Sequence, residues 1–150
     1  MAFNIVLFEP EIPNNTGNIG RLSLATGSKL HLVKPFGFEI DDARLKRAGL
    51  DYWKFVQIYI YNSIDEFYAK NQGKEMVYFS SHAENTHWTI DYKDELFLIF
   101  GKESIGLPKS IMQNNTNRTY KIPIYNDEVR SLNLSNAVSI VVYEGLKSIR

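Results

Sequence analysis

The chain has 150 residues, 44% of them apolar and 23% charged, the size and composition of one folded domain with a substantial core. Lys plus Arg and Asp plus Glu each total 17, so the net charge is zero; a globally basic nucleic-acid binder is excluded, and any such contact has to come from a local patch or from assembly of subunits. There is no cysteine, which removes disulfides, thiolate metal sites and a cysteine nucleophile. Met1–Phe8 has no basic lead and runs into Glu9 and Pro10, unlike a signal peptide, and no apolar run approaches the ~20 residues of a membrane span. The expectation is a cytoplasmic protein with one domain over residues 1–150 and no membrane contact.

In chain order, Phe3–Phe8 reads as a buried strand. Glu9–Thr16 reads as a loop, with Pro10 and Pro13 barring regular structure. Asn15 or Thr16 then caps a helix carrying Ile19, Leu22, Ala25 and Thr26, and Gly27 closes it. Lys29–Val33 is a second strand, and Pro35 and Gly37 break the chain after it. Asp41 caps a short helix, residues 42–48, closed by Gly49. Phe55–Tyr61 is a strand by its β-branched and aromatic content. Ser63-Ile64-Asp65-Glu66 has capping-box spacing and opens a helix toward Asn71. Met76–Phe79 and Glu95–Phe100 are further strands. Pro108 opens a short helix through Met112, and Tyr120–Ile124 is a last strand. Strands thus alternate with helices, which implies an α/β fold with a mostly parallel sheet flanked by helices.

The strongest helical pattern is the last. Leu134, Ala137, Val138, Val141, Val142, Gly145, Leu146 and Ile149 form one apolar stripe at helical spacing, and Asn133 or Ser131 can cap it. Ile140 and Tyr143 lie off that stripe, on a second face suited either to a dimer contact or to packing within one subunit.

Ligands in open α/β sheets bind at the carboxyl ends of strands, which directs attention to four loops: residues 9–21, 80–87, 101–108 and 126–133. Asn14–Arg21 has glycines, amides and a fixed charge, but neither dinucleotide-fold nor P-loop spacing. Gly101 and Gly106 let the backbone approach a ligand. Arg44, Lys46 and Arg47, with Tyr52 and Trp53 behind them, form a basic and aromatic cluster that suits phosphates and bases, or else a solvated face over two core rings. His82 and His87 have poor metal-ligand spacing, so no metal is expected.

Four stretches in order, Asn4–Arg21, Asp41–Tyr52, Phe100–Pro108 and Arg130–Glu144, resemble the SPOUT superfamily of methyltransferases, in particular its small tRNA wobble-nucleotide 2′-O-methyltransferases. The resemblance spans nearly the whole chain. It implies a deep trefoil knot in the C-terminal part, a homodimer, and S-adenosylmethionine as methyl donor without a metal. The implied substrate is the anticodon stem-loop of tRNA, in leucine tRNAs, with cytidine or a modified uridine as wobble nucleotide. By position it implies Phe79, Gly101, Glu103, Ile122, Ser131 and Leu132 as the cofactor pocket, with Ile122 on the last strand. Arg21 and Asn15 are implied at the ribose, and Arg44 and Arg47 at the RNA. Arginine stays protonated, so the expected role of Arg21 is to hold a phosphate or the developing alkoxide, with the proton leaving through a phosphate oxygen or water.

Overall fold

The computed structural model describes residues 2–150, apart from the side chains of residues 50 and 51. Among the described residues, seven strands, β1 (Asn4–Phe8), β2 (Lys29–Val33), β3 (Ile58–Tyr61), β4 (Met76–Phe79), β5 (Asn85–Thr86), β6 (Phe97–Phe100) and β7 (Thr119–Lys121), form one sheet in the order β3-β2-β1-β6-β4-β7-β5. All six pairings are parallel. Among the described residues there are five α-helices, α1 (Pro13–Thr26), α2 (Ala43–Gly49), α3 (Ile64–Lys70), α4 (Lys109–Asn114) and α5 (Leu134–Ile149), of which α2 packs on α1 rather than on the sheet. None of the described helices is long and apolar enough to cross a membrane.

The strand period of two sorts the core into layers. Phe3, Ile5 and Leu7 face one side, with Leu30, Leu32, Leu98 and Phe100, beneath α1 and α5. Val6 and Phe8 face the other, with Val33, Phe97 and Ile99, against Phe67 of α3 and Ile111 and Met112 of α4. Both faces of β1 are buried, which is why Asn4-Ile5-Val6-Leu7-Phe8 reads as a nearly unbroken apolar run. The second layer holds a polar chain beside its Tyr68–Tyr78 hydroxyl pair. Asn4 receives the Nε2–H of buried His31 at 2.9 Å, and the His31 Nδ1 takes the Tyr61 hydroxyl at 2.9 Å. The Asn71 amide donates to that same hydroxyl at 3.2 Å, so every member is satisfied when His31 is neutral. Burial, and secondarily the charge of Lys29, holds the His31 pKa down to about 4.

Several expectations shift at the ends of elements. Pro13 does not bar structure; it is the first residue of α1, where a missing N–H costs nothing and a fixed φ favours the helix. Neither Asn15 nor Thr16 is the cap. Gly27 closes α1 at φ 69°, as expected. Asp42, not Asp41, accepts the Arg44 N–H at 2.7 Å at the start of α2. The stretch expected as a strand from Phe55 begins at Ile58; Leu50–Phe55 instead coils into a 3-10 helix whose Trp53 ring sits against Gly20 of α1. Ser63 caps α3 by accepting the Glu66 N–H, as its spacing implies. Glu95 has φ 71°, so it precedes β6 rather than starting it. The final strand stops at Lys121, short of Pro123, and Ile122 lies just beyond it.

Candidate functional site

The chain builds β1, β2 and β3 outward in one direction and then crosses β1 to build the other half, so the topological switch lies between β1 and β6. The loops leaving these two strands lock together there. The Glu103 carboxylate accepts the backbone N–H of Glu11 at 2.8 Å, that of Ile12 at 2.9 Å, and the Asn15 amide at 3.2 Å. The Ile12 side chain cannot cap α1, and none of its own residues does so by side chain; a carboxylate from the loop after β6 serves instead, with its charge at the positive end of the helix. The tie is reciprocal: Glu11 accepts the Ser104 N–H at 2.8 Å, and that backbone bond is the main reason its carboxyl lies below the usual carboxylate range.

Asn15 extends the tie. It is buried, its amide donates to Glu103, and its carbonyl accepts the Asn133 amide at 3.1 Å. Asn133 in turn caps α5 by accepting the N–H groups of Ser135 and Asn136. A single chain, Glu103–Asn15–Asn133, therefore fixes the starts of α1 and α5 relative to the turn after β6. Within that turn Gly101 is obligatory, because a Cβ there would stand 2.1 Å from the Gly106 carbonyl carbon. Gly106 donates to Lys102 O at 2.9 Å and has φ 75°, closing a tight loop. Lys102 is paired with Glu9 at 3.3 Å.

Between these loops and those after β4 and β7 lies a cavity of about 710 Å³. The Phe79 and Phe100 rings stack at 4.6 Å in its floor. Phe79, Gly101, Glu103, Ile122, Ser131 and Leu132, read from four separated stretches of sequence, all line it, as does Asn15. So do Ser80–His82, Ile124, Arg130 and Ala137, which the sequence reading did not single out as contacts. Their signal was position alone: each falls in a loop at a strand's carboxyl end or in the first turn of the last helix. The cavity is large enough for a nucleoside-sized ligand, has an aromatic floor for a flat base, and is rimmed by the tight turn at Gly101–Gly106. Among the described residues, no group of three or more His, Cys, Asp or Glu side chains is placed to hold a metal ion.

Three expected contacts lie elsewhere. Arg21 is exposed, six residues beyond Asn15 and roughly 9 Å further along α1 at the helical rise. It does not line the cavity, and its guanidinium sits over the Tyr52 ring at 5.4 Å. Arg44 and Arg47 are exposed on α2, outside the cavity. Arg44 is held to Asp42 at 3.0 Å, and that bond raises its pKa further. α2 itself is drawn hard onto α1, because Gly17 leaves only 2.2 Å between its missing Cβ and the Leu45 carbonyl oxygen.

The sequence profile of the SpoU rRNA Methylase family matches residues 2–143. A Geobacillus stearothermophilus protein, provisionally named tRNA (cytidine(34)-2′-O)-methyltransferase, is 47% identical over 150 residues, 98% of this chain and 95% of its own. A solved structure described as giving structural insights into the 2-OH methylation of C/U34 on tRNA superposes with a TM-score of 0.93 at 38% identity, covering 98% of this chain and 95% of that one. The SpoU methyltransferase AviRb of Streptomyces viridochromogenes, solved in complex with AdoMet, shares the fold at a TM-score of 0.86 and 21% identity, over 97% of this chain and 57% of its own.

Proposed function

Because the chain belongs to the SpoU rRNA Methylase family, we propose that it transfers a methyl group from S-adenosylmethionine to the ribose 2′-hydroxyl of the wobble nucleotide in tRNA, cytidine or a modified uridine at position 34. The substrate element is the anticodon stem-loop, in leucine tRNAs, and the enzyme works as a cytoplasmic homodimer. The observation that carries this reading is the convergence of all six expected pocket residues on one cavity at the switch point of the sheet.

The residues present fit the donor. Phe79 and Phe100 offer an apolar floor to an adenine ring, and the tight turn at Gly101–Gly106 offers backbone donors and acceptors. When bound, S-adenosylmethionine supplies an electrophilic methyl group, so the protein's task is alignment and proton removal. Glu103 and Asn15 keep the two helix starts at fixed distance. Both ends of the Asn15 amide are engaged within the fold, so its part is to position the pocket wall.

Arg21 holds a ribose-flanking phosphate or the developing alkoxide. It lies off its own cavity and, in the homodimer, serves the cavity of the second copy. The exposed Ile140 and Tyr143 on α5, 41% and 54% open, support a dimer contact on that face. Two copies of the Arg44–Arg47 surface would then give a neutral protein a local basic groove. Labelled methyl transfer to tRNA transcripts, followed by nucleoside mass spectrometry, tests the proposal. Product confined to the 2′-O-methyl nucleotide at position 34 supports it; no transfer, or transfer to a base, refutes it.

A further inference from the structure

We propose that the 3-10 segment Leu50–Phe55 is a stacking platform for unpaired bases of the RNA loop beside the methylated nucleotide, with Tyr52 and Phe55 as its rings and Arg21 and Lys54 as its cations. This rests on the reading of the protein as an RNA methyltransferase.

Four observations carry it. First, Tyr52 and Phe55 are 45% and 64% exposed although they lie on one six-residue segment, so the core does not account for them. Second, each ring already carries a cation: Arg21 stands 5.4 Å from the Tyr52 ring centre, and Lys54 stands 5.2 Å from that of Phe55. Rings with interleaved cations match a chain of flat bases linked by phosphates, and a guanidinium over a ring keeps its in-plane N–H groups for phosphate oxygens.

Third, the segment is anchored. Trp53, between the two exposed rings in sequence, is half-buried against the main core, and its ring fills the space a Cβ on Gly20 would need, 2.4 Å away. The Val56 N–H closes the segment on the Trp53 carbonyl. The platform is therefore preformed, and little ordering entropy opposes binding. Fourth, the local charge is right: with Arg21 over Tyr52, residues 41–56 bring together five cations, Arg21, Arg44, Lys46, Arg47 and Lys54, against three acids, Asp41, Asp42 (which pairs with Arg44) and Asp51, in a chain whose net charge is zero. A polyanion with exposed ring faces answers both features. Because Tyr52 touches the same Arg21 that is assigned to the ribose, the bases taken by the platform are those flanking the reacting nucleotide.

The test uses the full-length protein and an anticodon stem-loop carrying 2-aminopurine beside position 34. Stacking on the platform quenches 2-aminopurine fluorescence in the wild type. Phe55→Ala, at a position exposed enough to leave folding intact, should weaken RNA binding by about 5-fold or more, the lower end for loss of one stacked base. It should abolish part of the quenching, raise KM for RNA more than it lowers kcat, and leave S-adenosylmethionine affinity unchanged. Phe55→Trp and Tyr52→Phe, which keep a ring, should retain binding, whereas Tyr52→Leu should not. Unchanged RNA affinity and quenching in Phe55→Ala, beside an active wild type, overturns the proposal. So does a change of oligomeric state with RNA affinity intact, which would mean that a second copy covers the ring. Ring-dependent RNA binding by a wild type that transfers no methyl group supports the platform and refutes the enzymatic reading instead; a wild type that does not bind the stem-loop refutes both.

Discussion

Glu103→Gln separates a carboxylate that holds the fold from one that holds the cofactor. Glu103 Oε1 accepts one backbone N–H, from Glu11, and Oε2 accepts two donors, from Ile12 and Asn15. Glutamine keeps one acceptor oxygen. In its better orientation the amide oxygen replaces Oε2, and the NH₂ group faces the Glu11 N–H, donor against donor. One part-buried backbone donor then loses its partner, at about 1–3 kcal/mol. The negative charge at the start of α1 is also lost, worth a further ~0.3–1 kcal/mol. Because the site is partly open to water, a total near the middle, about 2 kcal/mol, is the expectation. For a chain of this length that corresponds to a fall in Tm of roughly 4–8 °C. Urea melts with and without S-adenosylmethionine measure it. The loss should appear in the ligand-free protein, and a double-mutant cycle with Asn15→Ala should show coupling, since the two side chains share a hydrogen bond. Unchanged ligand-free stability, with only cofactor affinity reduced, would refute the capping role.

Asn133→Ala removes the cap of α5 and the bond to Asn15, and should cost about 1–2 kcal/mol with weaker cofactor binding; a melt and a calorimetric titration check both. His31 titrates in the unfolded chain near pH 6.5 but in the folded one only near 4. Its contribution is therefore fully present above pH 6.5 and is lost as pH falls toward 4, at up to about 1.4 kcal/mol per pH unit. His31→Gln should flatten that slope in denaturant melts between pH 7 and 4.5, and an identical slope would contradict the assignment. Ile140→Asp with Tyr143→Asp should shift the protein to monomer in sedimentation and abolish methyl transfer while leaving the fold's far-ultraviolet signal intact. Arg21→Lys keeps the charge but loses the bidentate fork, and should lower kcat at least tenfold; full turnover would rule out the role given to Arg21.

The layers of the fold were legible because period and burial agree. β1, β2 and β4 are short apolar runs, and the stripe from Leu134 to Ile149 has one helical phase. Element ends were legible where local chemistry sets them, as at Ser63 and Gly27. They were not legible where tertiary contacts set them. Nothing near Pro13 in sequence shows that Glu103 will cap the helix it begins, because the two are brought together only by the pairing of β1 with β6. Similarly, Phe55-Val56-Gln57 has strand composition, but Trp53 docking on Gly20 coils the preceding residues and delays the strand to Ile58. That Phe79, Ile122 and Leu132 line one cavity follows from resemblance and position, not from pattern, since they are ordinary apolar residues until the sheet assembles them. Asn15 lines the cavity while its amide is engaged by Glu103 and Asn133, two contacts that nothing local in its loop announces.

The most direct test is methyl transfer from labelled S-adenosylmethionine to an anticodon stem-loop, compared with the same stem-loop already 2′-O-methylated at position 34. Incorporation into the first and none into the second is the predicted result. Equal incorporation into both, or into neither, would contradict the assignment.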